Sequence, residues 1–279
     1  MKKTRFHRLF GGFYEQYLII VIFMAITPQV FHDRMLESIL AITAIALGTL
    51  ADITINRVYD ADDDAIEEWK SKTNPISNGE IGKDLSWMVC VNIYFISIIL
   101  SLLTGDIIFS FALVVRNLIG FLYSGPPIRA KSSPFIDMLF HPVLIDAGPA
   151  FMALMYTRNF TTLPVYLLGF LVLNSLFTQI SQEIRDLSVD RKAGLDTTVQ
   201  RIGRKKAQAL QRLLLVSMGL YVVVAGLQNS MNYITWAAAI AIVYITKNIL
   251  GDYRVMHKTR RNSVAIMLIG ALVQVIRIF

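Results

Sequence analysis

Apolar residues run through this chain in stretches of about 20, separated by short polar connections. Stretches of that length match the hydrocarbon thickness of a bilayer and predict membrane-crossing helices. Nine spans are predicted, over residues 13–31, 36–58, 86–104, 106–123, 135–157, 162–182, 206–227, 231–250 and 262–279. The first has no small-residue cleavage site, so it reads as a retained span and not as a signal peptide. No polar stretch is long enough to enclose a core of its own. Residues 1–279 therefore read as one all-α, polytopic membrane domain.

Composition supports the pattern. The 279 residues are 54% hydrophobic and only 17% charged, with a mean hydropathy of +0.53. A soluble domain would carry about a quarter charged residues. The single cysteine, Cys90, lies inside an apolar run, which excludes an intrachain disulfide and a cysteine-based metal site.

The net charge of +7 changes meaning once its placement is known. Lys and Arg gather at the N-terminus and in alternate connections, while the opposite connections hold only Arg34 and Arg158. Such asymmetry is a topology signal and gives no reason to expect a nucleic-acid partner. It places the N-terminus on the cytoplasmic side of the cell membrane, together with the long connections after spans two, four and six. Function is expected at this cytoplasmic mouth.

Two groups of carboxylates stand on that face. Asn56, Asp60 and Asp64 follow span two, and Asp186 and Asp190 follow span six. Four residues correspond to about one helical turn, so each group forms a vertical stripe if its helix continues past the interface. Asp52 lies a turn inside the first stripe and Gln182 a turn inside the second; these two, with Asp62 and Asp63, read as support or solvated positions. One acidic cluster at a membrane surface is ordinarily just solvated. Two at matching spacing on one face would repel strongly unless neutralised. Magnesium suits them, because it takes oxygen ligands and completes its shell with water and substrate phosphate.

A bound diphosphate also needs cations. Lys70 and Lys72 precede a turn built on Pro75 and Gly79, and Tyr123 opens a segment whose Pro126 and Pro127 aim Arg129 and Lys131 toward the mouth. Ordinary anchoring by positive residues is the competing explanation for each. No glycine-rich phosphate loop or nucleotide fingerprint occurs. Within the spans, Arg116 and Asp146 are the costliest groups to bury, and they are expected to face the cavity or each other. A structural salt bridge explains them as well as substrate binding does. His141 reads either as a general base or as a satisfied core histidine.

Four ordered motifs resemble those of the UbiA-type intramembrane prenyltransferases. An Asn-x-x-x-Asp-x-x-x-Asp motif is matched by Asn56, Asp60 and Asp64, and a basic segment ending in Pro and Gly by Lys72 to Gly79. A Tyr-Ser-x-Pro-Pro-x-Arg-x-Lys segment is matched by Tyr123 to Lys131. An Asp-x-x-x-Asp-x-x-x-Gly-x-x-x-Thr segment is matched by Asp186, Asp190, Gly194 and Thr198. One departure is Arg57, where many members carry Asp directly after the motif asparagine.

The resemblance implies a nine-helix bundle around a lipid-accessible cavity. It also implies magnesium-dependent transfer of a prenyl group from a prenyl diphosphate to an acceptor the sequence does not identify. Asn56, Asp60, Asp64, Asp186 and Asp190 would hold the metal, and Lys72, Arg129 and Lys131 the diphosphate. Arg116 is a further substrate-binding candidate, and Tyr123 is the candidate to face the allylic cation. A terpene cyclase would use the same ionisation without an external acceptor. A cation transporter would place its carboxylates at the membrane midplane, not at its edge.

Overall fold

The computed structural model describes residues 9–10 and 14–228, and among them every regular element is helical. Among the described residues, five helices are long and apolar enough to cross a membrane, or six if one bent pair is counted as a span. These are α3 (Met35–Asp64), α5 (Lys83–Leu103), α6 (Ile107–Ser124), α9 (Thr162–Lys192), α11 (Arg204–Gln228) and the pair α7 (Ile136–Leu144) with α8 (Ala147–Thr157). Predicted span one appears as a shorter helix α1 (Tyr14–Ala25) followed by α2 (Pro28–Asp33). Predicted spans eight and nine lie outside the described residues. Three short helices complete the set: α4 (Glu68–Thr73), α10 (Thr198–Ile202) and a 3-10 turn at Ala130–Ser132.

The central helix α3 buries a face that repeats every three or four residues: Ala41, Ala44, Gly48, Ala51, Ile55 and Val58. Most of these are small, which lets neighbouring backbones approach where lipid supplies no hydrophobic drive between helices. The approach is close enough for Ser97 Oγ on α5 to donate to Ala44 O at 2.7 Å, and for Cys90 Sγ to donate to Ala51 O at 3.3 Å. The apolar core fills the space among α1, α3, α6, α8, α9 and α11. Outward faces carry a second apolar stripe: Met88, Val91, Phe95 and Leu102 on α5, and Leu213, Val216, Leu220 and Val223 on α11. Large apolar side chains left exposed at helical spacing are what a lipid-facing surface requires.

Both basic residues predicted for the external side fasten the same turn. Arg34 donates to Thr104 O at 2.9 Å, and Arg158 reaches both oxygens of Asp106 at 2.9 and 3.0 Å. Asp106 in turn caps α6 by accepting from Phe109 N. At the opposite end, α3 and α9 run on into the acidic segments as continuous helices, so the carboxylates ride on the spans themselves.

The span predicted over 135–157 is bent by 51° between α7 and α8. The bend is tight: a Cβ on Gly148 would fall 1.6 Å from Val143 O. A break in mid-membrane strands backbone carbonyls, and Arg116 Nη2 donates to one of them, Leu144 O, at 2.8 Å.

Candidate active site

Where α3 and α9 project together, a cavity of about 570 Å³ opens between them. All five predicted metal-binding residues line it: Asn56, Asp60 and Asp64 from α3, Asp186 and Asp190 from α9. Tyr123, at the end of α6, and Lys131, on the 3-10 turn, line it as well. Residues more than a hundred positions apart in sequence are thus brought to one chamber by two helices and one loop.

Three of the four carboxylates have a direct partner. Asp60 is ion-paired with Lys131. Asp186 meets Lys70 Nζ at 3.3 Å and accepts from both Nε and Nη2 of Arg185. Asp64 accepts from Asn74 Nδ2 at 2.9 Å, and Asn56 Oδ1 accepts from Ser124 Oγ at 3.1 Å. Asp190 is 7% exposed, within the field of Lys70, Arg185 and Lys131. Burial pushes the Lys131 ammonium down to about 7 while Asp190 pulls it back up; its contact with Asp60 acts in the same direction as Asp190.

Three predicted substrate-binding cations sit differently from the expectation. Lys72 is on the outer face of α4, paired with the exposed Glu68 at 2.5 Å. Lys70, two residues earlier, is the one that reaches the cavity, and both it and Arg185 lie over the Trp69 ring, at 5.7 and 5.5 Å from its centroid. Positions two apart on a helix point to nearly opposite sides, so only one of these lysines can face inward. Arg129 stays at the rim, in the left-handed region at φ 46°, and donates to Asp63 Oδ2 at 2.6 Å.

Arg116 is 2% exposed and does not line the cavity. Its partner is Asp52, not Asp146: Nη1 lies 2.5 Å from Asp52 Oδ2, and Nη2 also donates to Thr49 Oγ1 at 3.3 Å. Asp146 accepts instead from Asn174 Nδ2 at 2.8 Å. Asp52, read as a supporting position, forms part of the cavity wall and accepts from Tyr94 OH at 2.6 Å. Gly120 makes room for it, since a Cβ there would lie 1.9 Å from Asp52 Oδ1. His141 lines the cavity with Nδ1 against Ser175 Oγ at 2.8 Å. Asp62 pairs with Lys83 on the exposed surface, as a solvated position would.

Sequence reasoning missed Asn74 and Glu183. Asn74 ties the turn after α4 to α3 by donating to Arg57 O and Asp64. Glu183 also lines the cavity. Gln179, Glu183, Asp186 and Asp190 follow one another at spacings of four, three and four, a polar stripe that could have revealed it.

The donor set fits a hard divalent cation: it is all oxygen and contains no thiol. Among the described residues no three His, Cys, Asp or Glu side chains converge on one point.

The chain is similar in sequence to curated relatives and in fold to solved structures. Over 198 residues the chain is 26% identical to a chloroplastic 2-acylphloroglucinol 4-prenyltransferase of Humulus lupulus, covering 66% of this chain and 46% of that one. It is 30% identical over 173 residues to digeranylgeranylglyceryl phosphate synthase of Pyrococcus horikoshii, covering 61% and 58%. The chain therefore spans about half the length of the curated relatives it matches. A UbiA homologue from Archaeoglobus fulgidus bound to GPP and Mg2+ shares the fold, with a TM-score of 0.71 at 18% identity over 95% of this chain and 97% of that one. The model of the UbiA prenyltransferase family matches residues 17–271, and with the fold and the paired carboxylate helices this places the chain in the UbiA prenyltransferase family.

Proposed function

We propose that this protein transfers a prenyl group from a prenyl diphosphate to a small acceptor, lipid-associated or aromatic, in a magnesium-dependent reaction at the cytoplasmic mouth of the bundle. The observation that carries the reading is the convergence of both carboxylate stripes on one cavity with Lys70, Arg185 and Lys131 against them. Relatives point the same way: the Archaeoglobus homologue binds GPP and Mg2+, and the curated relatives are a prenyltransferase and a synthase of a prenylated glyceryl phosphate.

Asn56, Asp60, Asp64, Asp186 and Asp190 would hold the metal, which when bound supplies positive charge to the departing diphosphate. Lys131 and Lys70 then have a second task. Paired now with Asp60 and Asp186, they become available to the phosphate oxygens once those carboxylates take another cation. Arg129 would add its charge from the rim. Tyr123, half-buried at the cavity wall, would present an electron-rich ring to the allylic cation and help keep water from it. The acceptor then attacks the cation, forming the new bond and releasing its proton.

The test is release of diphosphate by purified protein supplied with prenyl diphosphates and magnesium. Asp60→Ala and Asp190→Ala are each expected to lower it about 100- to 1,000-fold, the range for loss of one electrostatic stabiliser. Full activity in both variants would overturn the proposal. Product that forms only with added acceptor identifies a transferase; donor consumed alone identifies a cyclase.

A further inference from the structure

Beside the cavity lies a group of buried polar residues that the proposed reaction does not use directly. Asp137, in the first turn of α7, is fully buried, and Glu183 on α9 is 5% exposed. Both accept from the start of α10. Thr198 N donates to Asp137 Oδ2 at 2.8 Å, Thr198 Oγ1 donates to Asp137 Oδ1, and Val199 N donates to Glu183 Oε2 at 2.9 Å. The two carboxyl groups also lie within each other's field. Placing two acids in a membrane protein at this depth is costly unless each oxygen has a donor, and here three of the donors come from a single segment, Thr198–Val199.

That loop follows Asp190. Gly194, at φ 70°, turns the chain away from α9, and Leu195 N returns to Asp190 O at 2.9 Å. Thr198 then grips the other cytoplasmic segment. Its Oγ1 accepts from Phe135 N at 2.7 Å, and Phe135 is a non-glycine residue at φ 69°. A bulky residue in that region is strained and is kept there by its surroundings. Phe135 and Asp137 lie just after the 3-10 turn that carries Lys131, and Asp137 N donates to Ser133 O at 3.0 Å. On the cavity side, Gln179 Nε2 donates to Glu183 Oε1 at 2.9 Å, and Gln179 lines the cavity beside Tyr123.

We propose that Asp137, Glu183 and Thr198 are positioning residues that form an internal latch. The latch holds the loop after Asp190 against the turn carrying Lys131 and, through Gln179, sets the Tyr123 ring at the cavity wall. A displacement of about 1 Å in groups that face a reacting centre costs about 100-fold in rate. The latch therefore acts on turnover more than on donor binding.

Two measurements on the full chain in detergent or nanodiscs test it. The kinetic arm rests on the prenyl-transfer reading; the exchange arm does not. Thr198→Val removes the hydroxyl and keeps the size, and is expected to lower kcat about 10- to 100-fold while donor KM stays within about threefold. Thr198→Ser restores the hydroxyl and should recover kcat to within about threefold of wild type. Hydrogen–deuterium exchange of peptides covering residues 130–138 and 194–203 should accelerate in Thr198→Val and stay slow in Thr198→Ser. Unchanged exchange in Thr198→Val overturns the latch, as does unchanged kcat in an otherwise active enzyme. If Thr198→Val does not fold, Glu183→Met replaces it in both measurements under the same two criteria. If wild type processes no prenyl diphosphate at all, the functional reading fails, and the exchange data alone decide the latch.

Discussion

Ion pairs occur at two depths in this molecule, and they behave as different devices. At the mouth, Asp60 with Lys131 and Asp186 with Lys70 join a turn and a short helix to the long spans and line one chamber, with Arg185 beside Asp186 on the same helix. Within the bundle, Arg116 is held by Asp52, Thr49, Asn117 and the Leu144 carbonyl at once, and glycines at 48 and 120 leave the space for that cluster. A guanidinium satisfied in so many directions, at the break of a membrane helix, has little freedom to exchange partners. A lysine with one carboxylate partner beside a cavity can trade it for another cation or anion. The same pairing chemistry thus stabilises the fold at depth and stores binding capacity at the mouth.

The sharpest way to break this contrast is Arg116→Met. It leaves Asp52 without its cation and the Leu144 carbonyl without a donor, and is expected to cost about 3–5 kcal/mol of stability, read as thermal unfolding in detergent. Adding Asp52→Asn to it should recover part of that loss. If the single variant melts like wild type, the deep pair is not structural. Next comes Gly120→Ala, whose methyl would take the place of Asp52 Oδ1. About 1–3 kcal/mol is expected from such overpacking, with turnover reduced only as far as folded protein is lost. At the mouth the pattern should invert. Lys131→Gln is expected to weaken donor use about 10- to 100-fold, with a loss of thermal stability that added magnesium repairs by neutralising Asp60. Smallest of all, Lys72→Ala should change stability by less than about 0.5 kcal/mol and leave turnover intact. Lys70→Ala made in parallel should impair turnover, and equal effects from the two would undo the assignment of Lys70 to the cavity.

How much of this was readable beforehand follows from the range of each signal. The acidic stripes were legible because they continue the helices that carry them, and helical spacing alone puts Asp60 over Asn56 and Asp190 over Asp186. Most predicted spans through residue 228 appear as helices for the same reason. Partner choice across helices was not legible. Arg116 could have met Asp146 or Asp52, and what decides is the space at Gly120 and the break that offers Leu144 O. Lys70 and Lys72 could not be separated until α4 was known to be a helix with one inward face. Thr198 belonged to a motif by spacing, but its task depends on Phe135 and Asp137, about sixty residues earlier.

The length of α9 sets where the chemistry happens. Its 31 residues span about 46 Å at 1.5 Å per residue, against a hydrocarbon core of about 30 Å. With the apolar part of the helix seated in the hydrocarbon, the acidic end would stand among lipid headgroups, at the seam between oil and water. An amphiphile can present its charged head there while its tail remains in the solvent it already occupies. Neither half has to change phase for the two to be parted.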